Sequence, residues 1–291
     1  MKTFKNLLIP ILAIFCSLFL LAGCTDKKPA NKGTINLAYG NWSEGVAVTL
    51  LLEELFPKMG YELQTTLADP APIFAAVAEG KQDIMIETWL PVFHKTFFDT
   101  YGDKLEIIGT WFDAAIMGFA VPTYVTIDSL EDLNDAVEKF DGKIFGIDSG
   151  SSTMNTAKKA VEAYNLNYDL IESSEPAMLA ALEDAVQRKK WAIIVGWEPH
   201  TMFSHFDIKF LKDPKNAWGA DQAEKIQVAA RKGFSKEYPE LAEFFSKMKF
   251  NSSEIASLMD VANNSTPNTQ KPMIRQWIKE NQALVDSWFV E

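Results

Sequence analysis

The chain has 291 residues, with 39 acidic against 28 basic side chains, a net charge of −11 and 47% hydrophobic residues. That acidic balance argues against nucleic acid and against a polybasic membrane surface as partners. The length is ample for a buried core, arranged as one large unit or as two lobes.

The first segment reads as a leader and not as part of the fold. Lys2 and Lys5 precede an almost wholly apolar run over 7–22, which ends in LAGC at 21–24. A basic start, an apolar stretch and the small residues Ala22 and Gly23 make a secretory signal peptide over 1–23. The run is long enough to span a bilayer, but the LAGC ending resembles the lipobox of bacterial lipoproteins. That resemblance implies cleavage before Cys24, a lipid on Cys24 and anchorage to the outer side of the cell membrane. Cys16 then leaves with the leader, so the mature chain has neither a free thiol nor a disulfide and rests on its core. The leader holds two lysines and no acidic residue, which leaves 26 basic against 39 acidic residues, net −13. Residues 24–33 are the lipidated terminus and a polar, unpatterned tether.

Short β-rich apolar runs then alternate with helical patterns. Strands are expected near 35–40, 62–67, 84–89, 116–121, 144–148, 168–172, 192–197, 207–211 and 226–231. A helix over 44–58 carries Val46, Leu50, Leu51 and Leu55 and stops at Gly60. SLED at 129–132 has the form of a capping box. A helical stretch covers 154–164. Another, over 175–189, opens with Ser174 as cap and Pro176 in its first turn, with Met178, Leu182, Ala185 and Val186 on one stripe. The tail, 236–290, is mostly helical, with Ser235 and Ser252 as caps. Strand–helix alternation predicts an α/β fold with parallel sheets. AVPTYVTI near 120–127 and EKIQVAARKG near 224–233 read as crossings between lobes, giving lobe I as 34–121 plus 227–291 and lobe II as 122–226.

Eight tryptophans are many for such a chain. Trp111, Trp191, Trp277 and Trp288 are expected in the core, and Trp218 in a loop or on the surface. Trp42, Trp89 and Trp197 differ, because each stands at the carboxyl end of an expected parallel strand, where open α/β sheets bind ligands. A pocket walled by indole faces suits a cation with no hydrogen to donate. A quaternary ammonium is cheap to desolvate, and each face contributes about 0.5–2 kcal/mol. At a fourth strand end stands GIDSGSST, 146–153, ahead of a helix whose first amides offer an anion site. His94, in WLPVFH, is a candidate donor to a ligand carboxylate. An aromatic box for a cation and a helix start for an anion together fit a zwitterion.

Catalytic chemistry has no such support. No G-x-S-x-G nucleophile motif and no G-x-x-x-x-G-K phosphate loop occurs. His200 and His205 are five apart and have no cysteine nearby, so no metal site is expected. Carboxylates are too plentiful for any pair to be singled out.

WLPVFH, VGWEPHTMFSHFDIKFLKDP, GIDSGSSTM and RKGFSKEYPE together resemble the glycine-betaine-binding lipoproteins of osmoprotectant ABC importers, over about residues 35–291. The resemblance implies a two-lobed type II periplasmic-binding-protein fold with a ligand cleft between the lobes. It implies a prism of Trp42, Trp89 and Trp197 around a trimethylammonium group. It implies that the carboxylate is held by the backbone amides of Ser152 and Thr153 and by His94. The chain departs from the family in having Ser149, Ser151 and Ser152 where glycine and proline are usual, and in lacking an aspartate beside Trp42. Glu87, two residues before Trp89, is expected on the same strand face, where a negative charge favours choline. The expected protein is therefore not an enzyme and needs no cofactor. It is a lipid-anchored, extracytoplasmic, monomeric receptor that hands glycine betaine to an ABC permease. Choline, carnitine and proline betaine are the rival ligands. An exported enzyme on the same scaffold and a structural lipoprotein are the rival classes.

Overall fold

Strands alternate with helices through a computed structural model that describes residues 30–219 and 224–289. The leader, Cys16, Cys24 and most of the tether lie outside the described residues. The first part runs β1 (Gly33–Tyr39), α1 (Ser43–Met59), β2 (Tyr61–Leu67), α2 (Pro70–Ala78), β3 (Ile84–Leu90), α3 (Lys95–Tyr101) and the long strand β4 (Leu105–Pro122). A 3-10 helix over Leu130–Phe140 leads to β5 (Lys143–Phe145), α4 (Ser152–Ala163), β6 (Asp169–Ile171), α5 (Glu175–Gln187), β7 (Ile194–Glu198), α6 (Met202–His205) and β8 (Ile208–Phe210). The chain closes with β9 (Glu224–Arg231) and the helices α7 (Phe234–Glu237), α8 (Pro239–Lys247), α9 (Ser252–Asn263), α10 (Gln270–Glu280) and α11 (Gln282–Asp286).

The strands form one curled sheet in the order β2-β1-β3-β9-β4-β7-β5-β6, with β8 against the end of β4. Its two flanks are parallel, as expected: β2, β1 and β3 on one side, and β7, β5 and β6 on the other. The centre is not, because β9 runs antiparallel to both β3 and β4, and β4 runs antiparallel to β7. Strand β4 joins the flanks. Its residues from Leu105 to Ala115 pair with β9, and those from Ile116 to Ala120 pair with β7. The sequence pattern shows only the second stretch. In the first, the register against β9 shifts three times, and each irregularity breaks the alternation that marks a strand.

Local chemistry sets the ends of the elements. Gly60, at φ 89°, closes α1 in the left-handed conformation. Helix α4 begins two residues earlier than expected, because the Ser151 hydroxyl accepts from the Met154 amide and makes Ser151 the cap. The SLED segment forms a 3-10 helix, with Ser129 accepting from Glu131 N–H. Two expected caps are replaced. Asn251, not Ser252, starts α9 through a reciprocal capping box with Glu254, and α7 follows Gly233, leaving Ser235 inside it. Ser174 occupies the N-cap position of α5, but its side chain makes no cap hydrogen bond.

A continuous apolar core runs through both flanks. It takes in Trp218, which is buried edge-on against Phe119 at 5.0 Å instead of lying on the surface. Trp111 has a specific role within the core. Strand β3 advances three residues, Met85 to Thr88, while β9 advances two, Ala229 to Gln227. This bulge takes the Ile86 carbonyl out of the ladder, and the buried Trp111 indole N–H donates to it at 2.6 Å. Trp111→Phe removes that donor and part of the packing. It is expected to cost about 2–4 kcal/mol in urea unfolding. A loss under about 0.5 kcal/mol means that the indole bond does not stabilise the bulge.

Candidate functional site

The three tryptophans singled out in the sequence meet around one cavity. Trp42 follows β1, Trp89 lies near the end of β3, and Trp197 lies near the end of β7. With His94, Ser152 and Thr153 they line about 380 Å³ of unfilled space, part of it open to solvent. Phe93, Met117, Ile147, Ser151 and Glu44 complete the lining. Trp89 and Trp197 are buried, and Trp42 is half-buried at the mouth. Trp42 and Ser151 also border a wider outer groove that contains Asp69, Asp148 and Glu172.

Neighbouring residues set the orientation of each wall. The Trp42 ring folds back over Gly40, where a Cβ would lie 2.1 Å from it. Phe93 stands edge-on to Trp89, with ring centroids 6.4 Å apart. The Trp197 indole N–H donates to the Glu44 carboxyl at 3.2 Å, and its ring packs on His200 at 4.7 Å. Ser152 and Thr153 are the first two residues of α4, so their amides have no carbonyl partner one turn earlier within the helix. The Thr153 hydroxyl donates to Met117 Sδ at 3.3 Å.

His94 is buried, not a surface histidine. Its Nδ1 accepts from the Trp89 amide at 3.0 Å, which puts the ring proton on Nε2. Burial lowers its pKa to about 4, with the Glu87 backbone partly opposing, so the ring is neutral near pH 7. Glu224, at the start of β9, accepts from the amides of Val92 and Phe93 and holds the turn that carries Phe93 and His94.

The sequence reading missed Glu44, which sits in the first turn of α1 two residues after Trp42. Burial and the charge on Glu175 raise its pKa to about 8, against the pull of its own backbone amide and the Trp197 indole. Glu87 does not share the main cavity. It faces an adjoining one behind Trp42, with Gly40 and His94, where its Oε2 accepts from Gly40 N–H at 3.0 Å. Burial and then the Glu44 charge raise its pKa well above the ordinary value. Burial and mutual repulsion thus push both carboxyls toward the protonated form, against the full negative charge expected of Glu87.

Folded Glu44 keeps its proton to about pH 8, whereas the ordinary value is 4.5. Between those values the native state binds the extra proton, so stability falls as pH rises through that window. Glu87 and Glu224, both raised, act in the same sense. Chemical denaturation of the unliganded protein is expected to show this fall, and Glu44→Gln to make it shallower. An unchanged slope in the variant would mean that Glu44 does not hold the proton.

Among the described residues, no group of three or more His, Cys, Asp or Glu is arranged to hold a metal. No helix there is long and apolar enough to cross a membrane.

Known proteins give an independent comparison. The family model for the substrate-binding domain of ABC-type glycine betaine transport systems, OpuAC, matches residues 33–280. The glycine betaine/carnitine transport binding protein GbuC of Listeria monocytogenes serotype 1/2a (strain 10403S) is 32% identical over 169 residues. That stretch is 57% of this chain and 54% of GbuC, so the match spans about half the length of that relative. Lactococcal OpuAC, in a closed-liganded crystal structure with glycine betaine, superposes with a TM-score of 0.80 at 34% identity, covering 89% of this chain and 100% of that one. The Borrelia burgdorferi glycine/betaine/L-proline-binding protein ProX gives a TM-score of 0.81 at 30% identity, covering 89% and 97%.

Proposed function

The chain belongs to the family of substrate-binding domains of ABC-type glycine betaine transport systems, and on that premise we propose that it is the extracytoplasmic receptor of such an importer. It captures glycine betaine, or a closely related quaternary ammonium zwitterion, and delivers it to a membrane permease. The family is one of transport proteins and not of enzymes, and this chain releases its ligand unchanged. A lipid on Cys24 tethers it, as a monomer, to the cell membrane.

The single observation that carries this reading is the meeting of three indoles, the start of α4 and a neutral His94 around one cavity. A trimethylammonium group cannot donate a hydrogen bond, so it is held by the electron-rich faces of Trp42, Trp89 and Trp197. The ligand carboxylate needs donors. The amides of Ser152 and Thr153, at the positive end of α4, and His94 Nε2–H supply them. The raised pKa values of Glu44 and Glu87 weaken the negative charge beside the cavity, which favours a zwitterion over a net cation such as choline.

The cleft divides the molecule into two lobes. The first contains β2, β1, β3, β9, the start of β4 and the C-terminal helices. The second contains the end of β4 with β7, β8, β5 and β6. The change of partner along β4, from β9 up to Ala115 to β7 from Ile116, supports a crossing near the 120–127 segment. The other is the 224–233 segment, which contains β9. A ligand that touches both lobes favours the closed form, which is the form a permease reads.

Titration calorimetry with glycine betaine and with choline tests the reading. Heat with betaine and much less with choline is the expected result, and heat with neither removes the proposed ligand class. Trp89→Ala and Trp197→Ala should each cost more than about 1 kcal/mol of affinity while leaving the circular dichroism unchanged. If both variants bind betaine as the parent does, the aromatic box is wrong. His94→Ala should weaken betaine far more than choline, and equal losses would remove its carboxylate role.

A further inference from the structure

Helix α1 lacks a local cap. Its N-cap residue is Trp42, whose side chain makes no cap hydrogen bond, yet the first turn carries Trp42 and Glu44 into the cavity. The cap comes from 132 residues away in the chain. Glu175, the first residue of α5 on the other flank of the sheet, turns its carboxylate to the start of α1. Its Oε2 accepts from the Ser43 amide at 3.3 Å and its Oε1 accepts from the Ser43 hydroxyl. Glu175 is fixed from behind by His200. The His200 Nδ1 accepts from the Met202 amide at 2.9 Å, which leaves Nε2–H to donate to Glu175 at 3.0 Å. The His200 ring also supports Trp197. On the α1 side, the Ser43 hydroxyl accepts from Asn263 of α9 at 3.4 Å.

We infer that Ser43, Glu175 and His200 form a clasp between the lobes that sets the open–closed equilibrium without touching the ligand. It rests on the reading of the molecule as a receptor that closes on its ligand. Opening the cleft carries α5 and His200 away from α1. That strips the α1 terminus of its anion and leaves Glu175 with His200 alone. A carboxylate at a helix N-terminus is stabilised by the exposed amides and the helix dipole, so the clasp favours closure. Burial raises the pKa of Glu175, but the donors from His200 and Ser43 outweigh it and hold the group below the ordinary value, ionised at neutral pH. Glu175 is thus a positioning residue. It acts on the ligand only through closure.

A contact of this kind has a signature that ligand contacts lack. Losing it lowers the closed population, and the apparent affinity for every ligand that needs closure falls by the same factor. Ser43→Ala removes one donor and keeps the backbone, and Glu175→Ala removes the cap. Each is expected to raise the Kd for glycine betaine and for choline together, by roughly five- to twentyfold, and Ser43→Thr, which restores a hydroxyl, is expected to recover the parent values. A merely structural role lowers the melting temperature without that common factor and without rescue by threonine.

A donor–acceptor pair of fluorescent noncanonical residues at positions 69 and 149, on the two sides of the outer groove, reads closure directly in the ligand-free protein. The clasp predicts that the parent samples the short distance and that both alanine variants lose it. Unchanged affinities, unequal losses for the two ligands, or identical distance distributions overturn the inference. If the parent binds neither ligand, the ligand assignment falls, and the ligand-free distances still decide the clasp. Should Glu175→Ala fail to fold, Ser43→Ala carries the same three readouts.

Discussion

Glu44, Glu87 and Glu175 lie within electrostatic reach of one another at the junction of α1, β3 and α5, and each is buried. Three carboxylates cannot all be ionised there, since each charge raises the cost of the next in a space with little water. The available donors decide the outcome. Glu175 has His200 and Ser43 and stays charged. Glu44 has the Trp197 indole, and Glu87 has one amide and a second oxygen with no partner. Those two are pushed toward the protonated form. The one favoured negative charge therefore sits at the α1 terminus, against Ser43, and the two acids behind the aromatic walls are biased toward the protonated form.

The backbone that holds this junction is unusual in its continuity. The two flanks are not joined only by loops, because β4 pairs with β9 and then with β7 along one unbroken strand. Irregularities concentrate in the pairing of β3 and β4 with β9. The β3 bulge precedes Trp89, and three register shifts mark the first part of β4. Bulges increase local twist and re-aim side chains. Trp111 bonds the Ile86 carbonyl within the β3 bulge, and Glu224 bonds the Val92 amide in the turn after β3.

Much of this was legible in the sequence, for identifiable reasons. Every strand from β1 to β9 overlaps an expected one, because short apolar runs bounded by turn residues survive most tertiary influences. Trp42, Trp89, Trp197, His94, Ser152 and Thr153 stand out as rare or clustered residue types at strand and helix ends, and the fold brings all six to one cavity. The motifs that carry the family resemblance agree with the family match over residues 33–280. Strand direction was not legible in the centre, since an apolar run reads the same in either sense. Trp218 stands in a turn, as a loop residue should, but nothing local shows that Phe119 will cover it. Glu44 and Glu175 were hidden among 39 acidic residues. Their one local signal was position in a first helical turn, and only the pairing of distant helix starts gives that position a meaning.

The glycines beside the box set limits on how it can be altered. A Cβ at Gly40 would sit 2.1 Å from the Trp42 ring, and one at Gly45 would sit 2.1 Å from the Glu87 carboxyl. In a library built to redirect this receptor to a new guest, those two codons are the ones to hold constant. Tryptophans, histidine and carboxyls can be exchanged to alter the chemistry, whereas the shape of the chamber is drawn by two side chains that are missing.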